Sequence, residues 1–501
     1  MWMAVKRGIV VAIGLLIQIL LTLFIYLKFG EFISIIQVVY GLLSIIIVLM
    51  IIKYSKRLSS DLIWILLIML FPLIGTLLYI ILSNNMKRSK VLKNINENIE
   101  NGQKYLIQDE FIKKEIDTKN LGQLKYISEF AGFPVTKNNE INYYSLGDDV
   151  YPVMLEELKK AKKFIFIEYF IINNGTMWQG ILDILKEKAN SGLDVRVLYD
   201  DMGSFAMLPS NYPKLLGKYG IKCMQFNKLS PFAGIIMNNI YQRKMMIIYG
   251  HTAFSGGINI SDEYININSK LGVWKDNGIR IKGEAVWNFT VMFLEMWNSF
   301  KKEDNDYNKY KYNFTEKYKE NGFVVPYGES PLDDVITGED IYLNIINQAK
   351  KYVYIYTPYL IIDTDMINSL ILAARRGVDV RIVVPGIPDK KIVYDLTSSY
   401  FYTLIKGGVK IYTYTNGFVH SKVFLSDDEI ATVGTINLDY RSLYLHFECG
   451  IYMKDTNVIK DIKKDFEDSF KESHKVDEKE AKNGLFKGLW QAILRLFAPM
   501  M

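Results

Sequence analysis

Lys163-Phe-Ile-Phe-Ile-Glu-Tyr-Phe-Ile-Ile172 is an apolar, β-rich run, followed by a helix-like stretch and then Gly192-Leu-Asp-Val-Arg-Val-Leu198. The pattern returns as Lys351-Tyr-Val-Tyr-Ile-Tyr-Thr-Pro-Tyr-Leu360, another helix-like stretch and Gly377-Val-Asp-Val-Arg-Ile-Val383. Strand, helix and strand in this order read as βαβ units with buried strands. Further along, Lys244, Gly256 and Asn259 match Lys422, Gly434 and Asn437, each pair 178 residues apart. Three matches at one offset inside matching strand patterns argue for duplication. The expected fold is therefore α/β, with one half at 141–300 and its repeat at 323–475. The polar segment 301–322 reads as the linker between them, and 84–140 as a polar, helix-compatible neck.

The chain has 501 residues, room for about three domains at roughly 150 residues each. Its net charge of +6 is too small a surplus to argue for a nucleic-acid binder. Two cysteines, Cys223 and Cys449, exclude a disulfide scaffold or a Cys-rich metal site. Half of the residues are hydrophobic, which directs attention to membrane segments. Three uncharged runs, at about 8–27, 32–52 and 62–82, are each long enough to cross about 30 Å of hydrocarbon. Residues 1–83 are thus expected to form a transmembrane region. A cleaved signal peptide would explain only the first run. The basic flanks balance between the two sides, so charge alone leaves the orientation open. At 484–501, Leu485, Leu489, Ile493 and Leu496 share one helical face with Phe486, Trp490 and Phe497 beside it. Lys487, Gln491 and Arg495 recur on the other face, as in an amphipathic helix lying in a lipid interface.

His420-Ser-Lys422-Val-Phe-Leu-Ser-Asp427 is the sharpest chemical motif. On a strand, His420 and Lys422 point to the same face. An imidazole beside a fixed ammonium suits attack on a phosphodiester, the imidazole taking phosphorus and the lysine holding the anionic oxygens. Asn437 and Glu448 follow, and Glu448 is a candidate to hold the other imidazole nitrogen and fix its tautomer. No phosphate-cradling Gly-x4-Gly-Lys-Ser/Thr loop, metal-ligand cluster or serine-hydrolase elbow appears.

At these residues the chain resembles the phospholipase D superfamily and, within it, the bacterial cardiolipin synthases. The resemblance runs through Tyr199-Asp-Asp-Met-Gly-Ser204, Gly256-Gly-Ile-Asn259 with Asp262-Glu-Tyr264, Trp274-Lys-Asp276, and Gly417-Phe-Val-His-Ser-Lys422 through Glu448. Phe71-Pro-Leu-Ile-Gly75 and the ending Leu496-Phe-Ala-Pro-Met-Met501 also look like the family's. It implies two halves about a pseudo-twofold axis, with one site between them to which each half supplies a His-x-Lys-x4-Asp motif. One histidine forms a phosphatidyl-enzyme, the other protonates the leaving alcohol, and no metal or other cofactor is needed. The implied catalytic set is His420, Lys422, Asp427, Glu448, Lys244 and Asn437. Lys244, Lys422, Asn259 and Asn437 would hold the phosphate.

The first motif departs from that pattern. The family histidine is Gln242 and the motif aspartate is Tyr249, while Lys244 survives. Glutamine carries no proton at neutral pH, and loss of a general acid costs roughly 10²–10⁴-fold in rate. His446, in place of a family asparagine, shares a strand face with Glu448 and is the candidate compensating acid. His251, just past the motif, is expected to be a solvated turn histidine. The resulting expectation is a membrane phosphatidyltransferase making cardiolipin and glycerol from two phosphatidylglycerols. It would sit in the cell membrane as a multi-pass protein, the face of its catalytic region left open with the cytoplasmic one favoured. Its partners would be anionic phospholipids, with no nucleic acid, and an intact paralogue or a second copy is a further candidate. The rival reading is a lipid-binding pseudoenzyme, or the partner subunit of an active paralogue.

Overall fold

The computed structural model describes residues 33–54, 58–83, 90–226, 240–319, 322–333 and 335–500. The chain divides into two compact units, one of residues 1–92, 230–238 and 493–500, the other of 93–229 and 239–492 with the last residue.

Three apolar helices lie in the first unit: Ile33–Tyr54, Leu58–Leu70 and Pro72–Ser83. Among the described residues no helix is long and apolar enough to cross a membrane. This corrects the expected spans. The first run, 8–27, lies outside the described residues. The second becomes the helix Ile33–Tyr54, whose side chains are described from Val38 onward; Val38, Leu42, Ile45 and Leu49 are exposed. The third run is broken in the middle. Pro72 lacks an N–H and its ring would clash with a preceding turn, so it opens a new helix instead of continuing the old one. The two short helices fold back on each other. Trp64 and Tyr79 meet edge-to-face with ring centroids 5.8 Å apart, whereas fifteen residues of straight helix would separate them by about 22 Å. Gly75 allows this approach, since a Cβ there would stand 2.4 Å from the Leu67 carbonyl oxygen.

The second unit carries the duplicated body. Its first eight strands are β1 (Asn139–Tyr144), β2 (Phe164–Tyr169), β3 (Asp194–Asp200), β4 (Lys222–Phe226), β5 (Met245–Ile248), β6 (Thr252–Gly256), β7 (Val273–Lys275) and β8 (Gly278–Gly283). The next six are β9 (Phe323–Glu329), β10 (Tyr352–Tyr356), β11 (Leu360–Ile361), β12 (Asp379–Pro385), β13 (Lys410–Tyr414) and β14 (Gly417–Val419). The chain closes with β15 (Val423–Ser426), β16 (Ile430–Gly434), β17 (Leu438–Asp439), β18 (Glu448–Lys454) and β19 (Ser473–Lys475). One sheet runs β1-β8-β6-β5-β2-β3-β4, the other β19-β13-β12-β10-β15-β16-β18-β9. Read from opposite ends the two orders correspond strand for strand, with β19 an added edge. The registers correspond too: Met245 pairs with Ser255 as Val423 pairs with Val433, again 178 residues on. In each sheet a parallel core of three strands continues into antiparallel hairpins.

Helix Val286–Phe300, buried from Val286 to Ser299, joins the sheets; it packs on β5, β6 and β8 of one and on β9 of the other. Such an all-round apolar helix belongs in an interior. A buried ion pair also crosses between the halves. Lys275 Nζ lies 2.6 Å from Asp465 Oδ1, and the Tyr143 hydroxyl donates to the other carboxyl oxygen at 2.7 Å.

Candidate active site

His420 is placed by a short parallel pairing of the two halves. β14 lies beside β7, Val419 opposite Lys275, and the His420 N–H donates to the Lys275 carbonyl at 2.8 Å. The next residue of the first half, Asp276, thereby stands beside the imidazole, with Oδ2 2.6 Å from Nδ1. Lys422 Nζ stands 2.9 Å from the same Nδ1. The shorter contact is to Asp276, a carboxylate that only accepts, which favours the proton on Nδ1 and leaves the Nε2 lone pair for attack. Asp276 is fully buried, its Oδ1 accepting from the Asn277 N–H at 2.9 Å. Gly257 makes room for it, since a Cβ there would meet Oδ1 at 2.0 Å. Tyr264, Trp274 and Phe418 wall the imidazole, with ring centroids 5.4, 5.8 and 6.0 Å away.

The equivalent arrangement recurs with the roles of the two halves exchanged. Tyr241 bridges Phe447 in parallel, and the Gln242 N–H donates to the Phe447 carbonyl at 2.9 Å. Gln242 therefore stands to Glu448 as His420 stands to Asp276. Each pair takes one residue from each half, so the site lies between them. The assignment of Glu448 to the His420 imidazole is corrected here: Asp276 holds that ring, and Glu448 faces the place where the first half has lost its histidine.

Lys244 and Lys422 fold alike, each ammonium donating to the backbone carbonyl two residues back, Gln242 (2.9 Å) and His420 respectively. Both are buried. Burial pushes Lys422 down to about 7, the Lys244 charge pushes the same way, and Asp276 and Glu448 oppose them. Burial likewise lowers Lys244, against Glu448 and Asp276. The two ammoniums thus share one electrostatic neighbourhood. Burial, then the Lys422 charge, pushes His420 down to about 4, so its ring is neutral at pH 7. Two buried cations flanking a neutral imidazole make a cradle for a phosphodiester anion.

The remaining expected residues frame this pocket. Asn259 accepts from the Ile171 N–H at 3.1 Å and donates to the Tyr264 hydroxyl at 2.7 Å, so both ends of its amide are committed to the wall. Asn437 donates to the Ser442 hydroxyl at 3.0 Å, leaving its buried Oδ1 without a hydrogen bond among the described residues. Asp427 is not at the site. It turns the β15–β16 hairpin in the left-handed region (φ 56°), five residues or about 16 Å along the chain beyond Lys422. Its carboxylate accepts from the N–H groups of Lys350, Lys351 and Tyr352 at 2.7, 2.8 and 2.9 Å, anchoring the start of β10. Tyr249 occupies the equivalent turn (φ 57°) and packs edge-on against Phe164 and Tyr312. The missing aspartate of the first motif therefore belongs to a hairpin turn and not to the pocket.

His446 also differs from expectation. Its Nε2 accepts from Arg441 Nε at 3.2 Å, and Nδ1 faces Glu448 Oε1 at 3.5 Å. Burial, then the Arg441 charge, pushes it to about 3. Such a ring stays neutral, and its one N–H is aimed at Glu448, so it does not stand in for the missing acid. His251 is half-buried rather than solvated, with Nε2 3.2 Å from the Tyr318 hydroxyl and its ring on Phe314. The residue missing from the expected set is Asp276. Its signal lay in Trp274-Lys-Asp276, but the partner of that carboxylate is visible only once β7 is known to lie beside β14. No group of three or more His, Cys, Asp or Glu side chains suited to a metal ion occurs among the described residues.

Residues 154–297 and 342–470 match the family described as "Cardiolipin synthase, PLD-like domain", and 42–84 match "Phospholipase D-nuclease N-terminal". The chain belongs to the cardiolipin synthase family of the phospholipase D superfamily. It is 34% identical to cardiolipin synthase 1 of Staphylococcus aureus (strain MRSA252), over 82% of this chain and 85% of that one. It is 32% identical to cardiolipin synthase 2 of Staphylococcus epidermidis (strain ATCC 35984), over 92% and 96%. It is 45% identical to an uncharacterized protein of Streptococcus mutans, over 80% and 87%. The crystal structure of phosphatidylserine synthase from Haemophilus influenzae superposes with a TM-score of 0.57 at 14% identity, covering 76% of this chain and 98% of that one, a likeness of fold. This cardiolipin synthase family member is accordingly an enzyme of the phosphatidyltransferase kind.

Proposed function

We propose that the protein condenses two phosphatidylglycerols to cardiolipin and glycerol, through a phosphatidyl group carried on His420. The observation that carries this reading is the His420–Asp276 pair, with the imidazole in the field of two buried ammoniums, Lys422 and Lys244. In the first step Nε2 attacks phosphorus while Lys244 and Lys422 hold the anionic oxygens and glycerol leaves. In the second, the hydroxyl of another phosphatidylglycerol displaces His420. Asp276 keeps the imidazole in the attacking tautomer and steadies its positive charge. The names of the staphylococcal relatives support the choice of product.

The substrate implies a lipid surface. Two exposed apolar faces suit contact with one: that of the helix Ile33–Tyr54, and that of the C-terminal helix Leu485–Leu496 with Leu485, Phe486, Leu489 and Trp490. Gln491 is buried on the opposite face, donating to the Asp395 carbonyl and the Ser398 hydroxyl, each at 3.1 Å.

The test is purified protein in phosphatidylglycerol micelles with cardiolipin and glycerol both quantified. Equal amounts of the two from wild type, and neither from His420→Ala, support the reading. Gln242 favours one alternative, a lipid-binding partner of an intact paralogue. Tight lipid binding without either product would establish it instead.

A further inference from the structure

Glu448 is a buried carboxyl group with no charged or backbone hydrogen-bond partner among the described residues; only the Thr435 and Ser442 hydroxyls approach its oxygens, at the margin of hydrogen-bond geometry. Its counterpart across the pseudo-twofold, Asp276, is held by an imidazole and a backbone N–H. The difference follows from Gln242. A side chain that cannot take a proton stands where a histidine would have engaged Glu448, and it lies beside Lys244, whose Nζ is 3.5 Å from the Gln242 amide oxygen. Unpaired buried polar atoms are costly, so an orphaned carboxyl in a reaction pocket calls for a use.

We propose that Glu448 has taken over the proton transfers of the lost histidine, donating to the departing glycerol and accepting from the incoming alcohol through one water between its carboxyl and the Gln242 amide. This rests on the phosphatidyltransferase reading above. As the His420 Nε2–P bond forms and the P–O bond to glycerol breaks, the electron pair leaves on the glycerol oxygen. That oxygen takes the proton of the Glu448 carboxylic acid. In the second half-reaction the carboxylate receives the hydroxyl proton of the acceptor phosphatidylglycerol, while its oxygen forms the new P–O bond and the N–P bond breaks. Protons and electron pairs balance over the cycle, and the enzyme returns to its starting state.

The surroundings suit a group that must cycle between two states. Burial pushes Glu448 up to about 7, with Lys244 opposing. The other groups around it are Lys422, the Thr435 and Ser442 hydroxyls, Asp439, Tyr342 on helix Thr337–Gln348, and His446 at 3.5 Å. A general acid works best with a pKa near the operating pH. His446 is then a positioning residue, its N–H directed at the carboxyl that carries the proton.

The test compares two substrates in the full-length enzyme. Phosphatidylglycerol needs a protonated leaving group. The phosphatidyl ester of p-nitrophenol, whose anion leaves unaided, does not. Glu448→Gln should lose on the order of 10²–10⁴-fold on phosphatidylglycerol, yet release the first equivalent of p-nitrophenolate, read as a pre-steady-state burst, within a few-fold of wild type. Gln242→His added to that variant should recover part of the loss. The fall in rate on phosphatidylglycerol above pH 7 should also become shallower in Glu448→Gln. An equal loss on both substrates, without rescue, would assign Glu448 a structural role and overturn the proposal, as would an unchanged rate on phosphatidylglycerol. A wild type inactive on both substrates would overturn the phosphatidyltransferase reading itself, and the role of Glu448 with it.

Discussion

At the scale of single residues, the two aspartates nearest His420 in interest divide cleanly by what they touch. Asp276 contacts the imidazole, and Asp427 contacts only backbone N–H groups. Asp276→Asn keeps the shape but offers Nδ1 a donor, which favours the wrong tautomer. It should lower kcat by on the order of 10³–10⁴-fold with little change in KM. Asp427→Ala should leave kcat of the folded enzyme near wild type but cost about 1–3 kcal/mol of stability, read by urea unfolding. The pH profile follows from the same neighbours. His420 must be neutral to attack, and it stays so down to about 4. Lys422 must be charged to hold phosphate, and it has lost half its charge near 7. The free-enzyme profile, kcat/KM, should therefore stay level from about pH 5 to 6, stand near half its plateau at about 7 and keep falling above it. A fall between pH 6.5 and 5.5 would mean that His420 titrates as an ordinary histidine. His420 and Lys422 were legible in the sequence as a motif and Lys244 through the 178-residue repeat, although they lie just outside the strands, between β14 and β15 and before β5, rather than on a strand face. Asp276 was not, since its partner lies 144 residues away and is set by a three-residue pairing between halves.

At the scale of elements, the buried Lys275–Asp465 pair ties β7, and so Asp276, to the helix Ile459–Lys471 of the second half. Removing one partner of a buried pair strands the other charge. Asp465→Asn should cost about 3–5 kcal/mol in denaturant unfolding, and the surviving folded fraction should show lowered kcat as Asp276 loses its support. The C-terminal helix Leu485–Leu496 presents Phe486 and Leu489 outward, 87% and 57% exposed. Phe486→Glu with Leu489→Glu should cut cosedimentation of the full chain with phosphatidylglycerol vesicles without changing its melting temperature; unchanged cosedimentation would remove this face from the lipid contact. The amphipathic pattern here was plain in the sequence, whereas the fate of 62–82 was not. Apolarity alone reads that run as one span. A single proline at position 72 and the small Gly75 instead make a hairpin, through contacts that no hydropathy average registers.

At the scale of the whole molecule, duplication explains both the fold and the flaw in the site. The strand orders of the two sheets correspond, and the 178-residue offset read from Lys244 and Lys422 recurs in their hairpin registers. Repetition is therefore the feature that the sequence conveyed most fully. What the repeat pattern conveyed less well is that each half completes the other, Asp276 serving His420 and Glu448 facing Gln242. In the proposed reaction one histidine, His420, then carries the phosphatidyl group for both halves. The direct test is to quench the purified enzyme at neutral pH during turnover of phosphatidylglycerol, digest it and weigh its peptides. A phosphatidyl mass on the peptide containing His420, absent from His420→Ala, is the expected result. No adduct during active turnover, or an adduct on any other residue, would contradict the account.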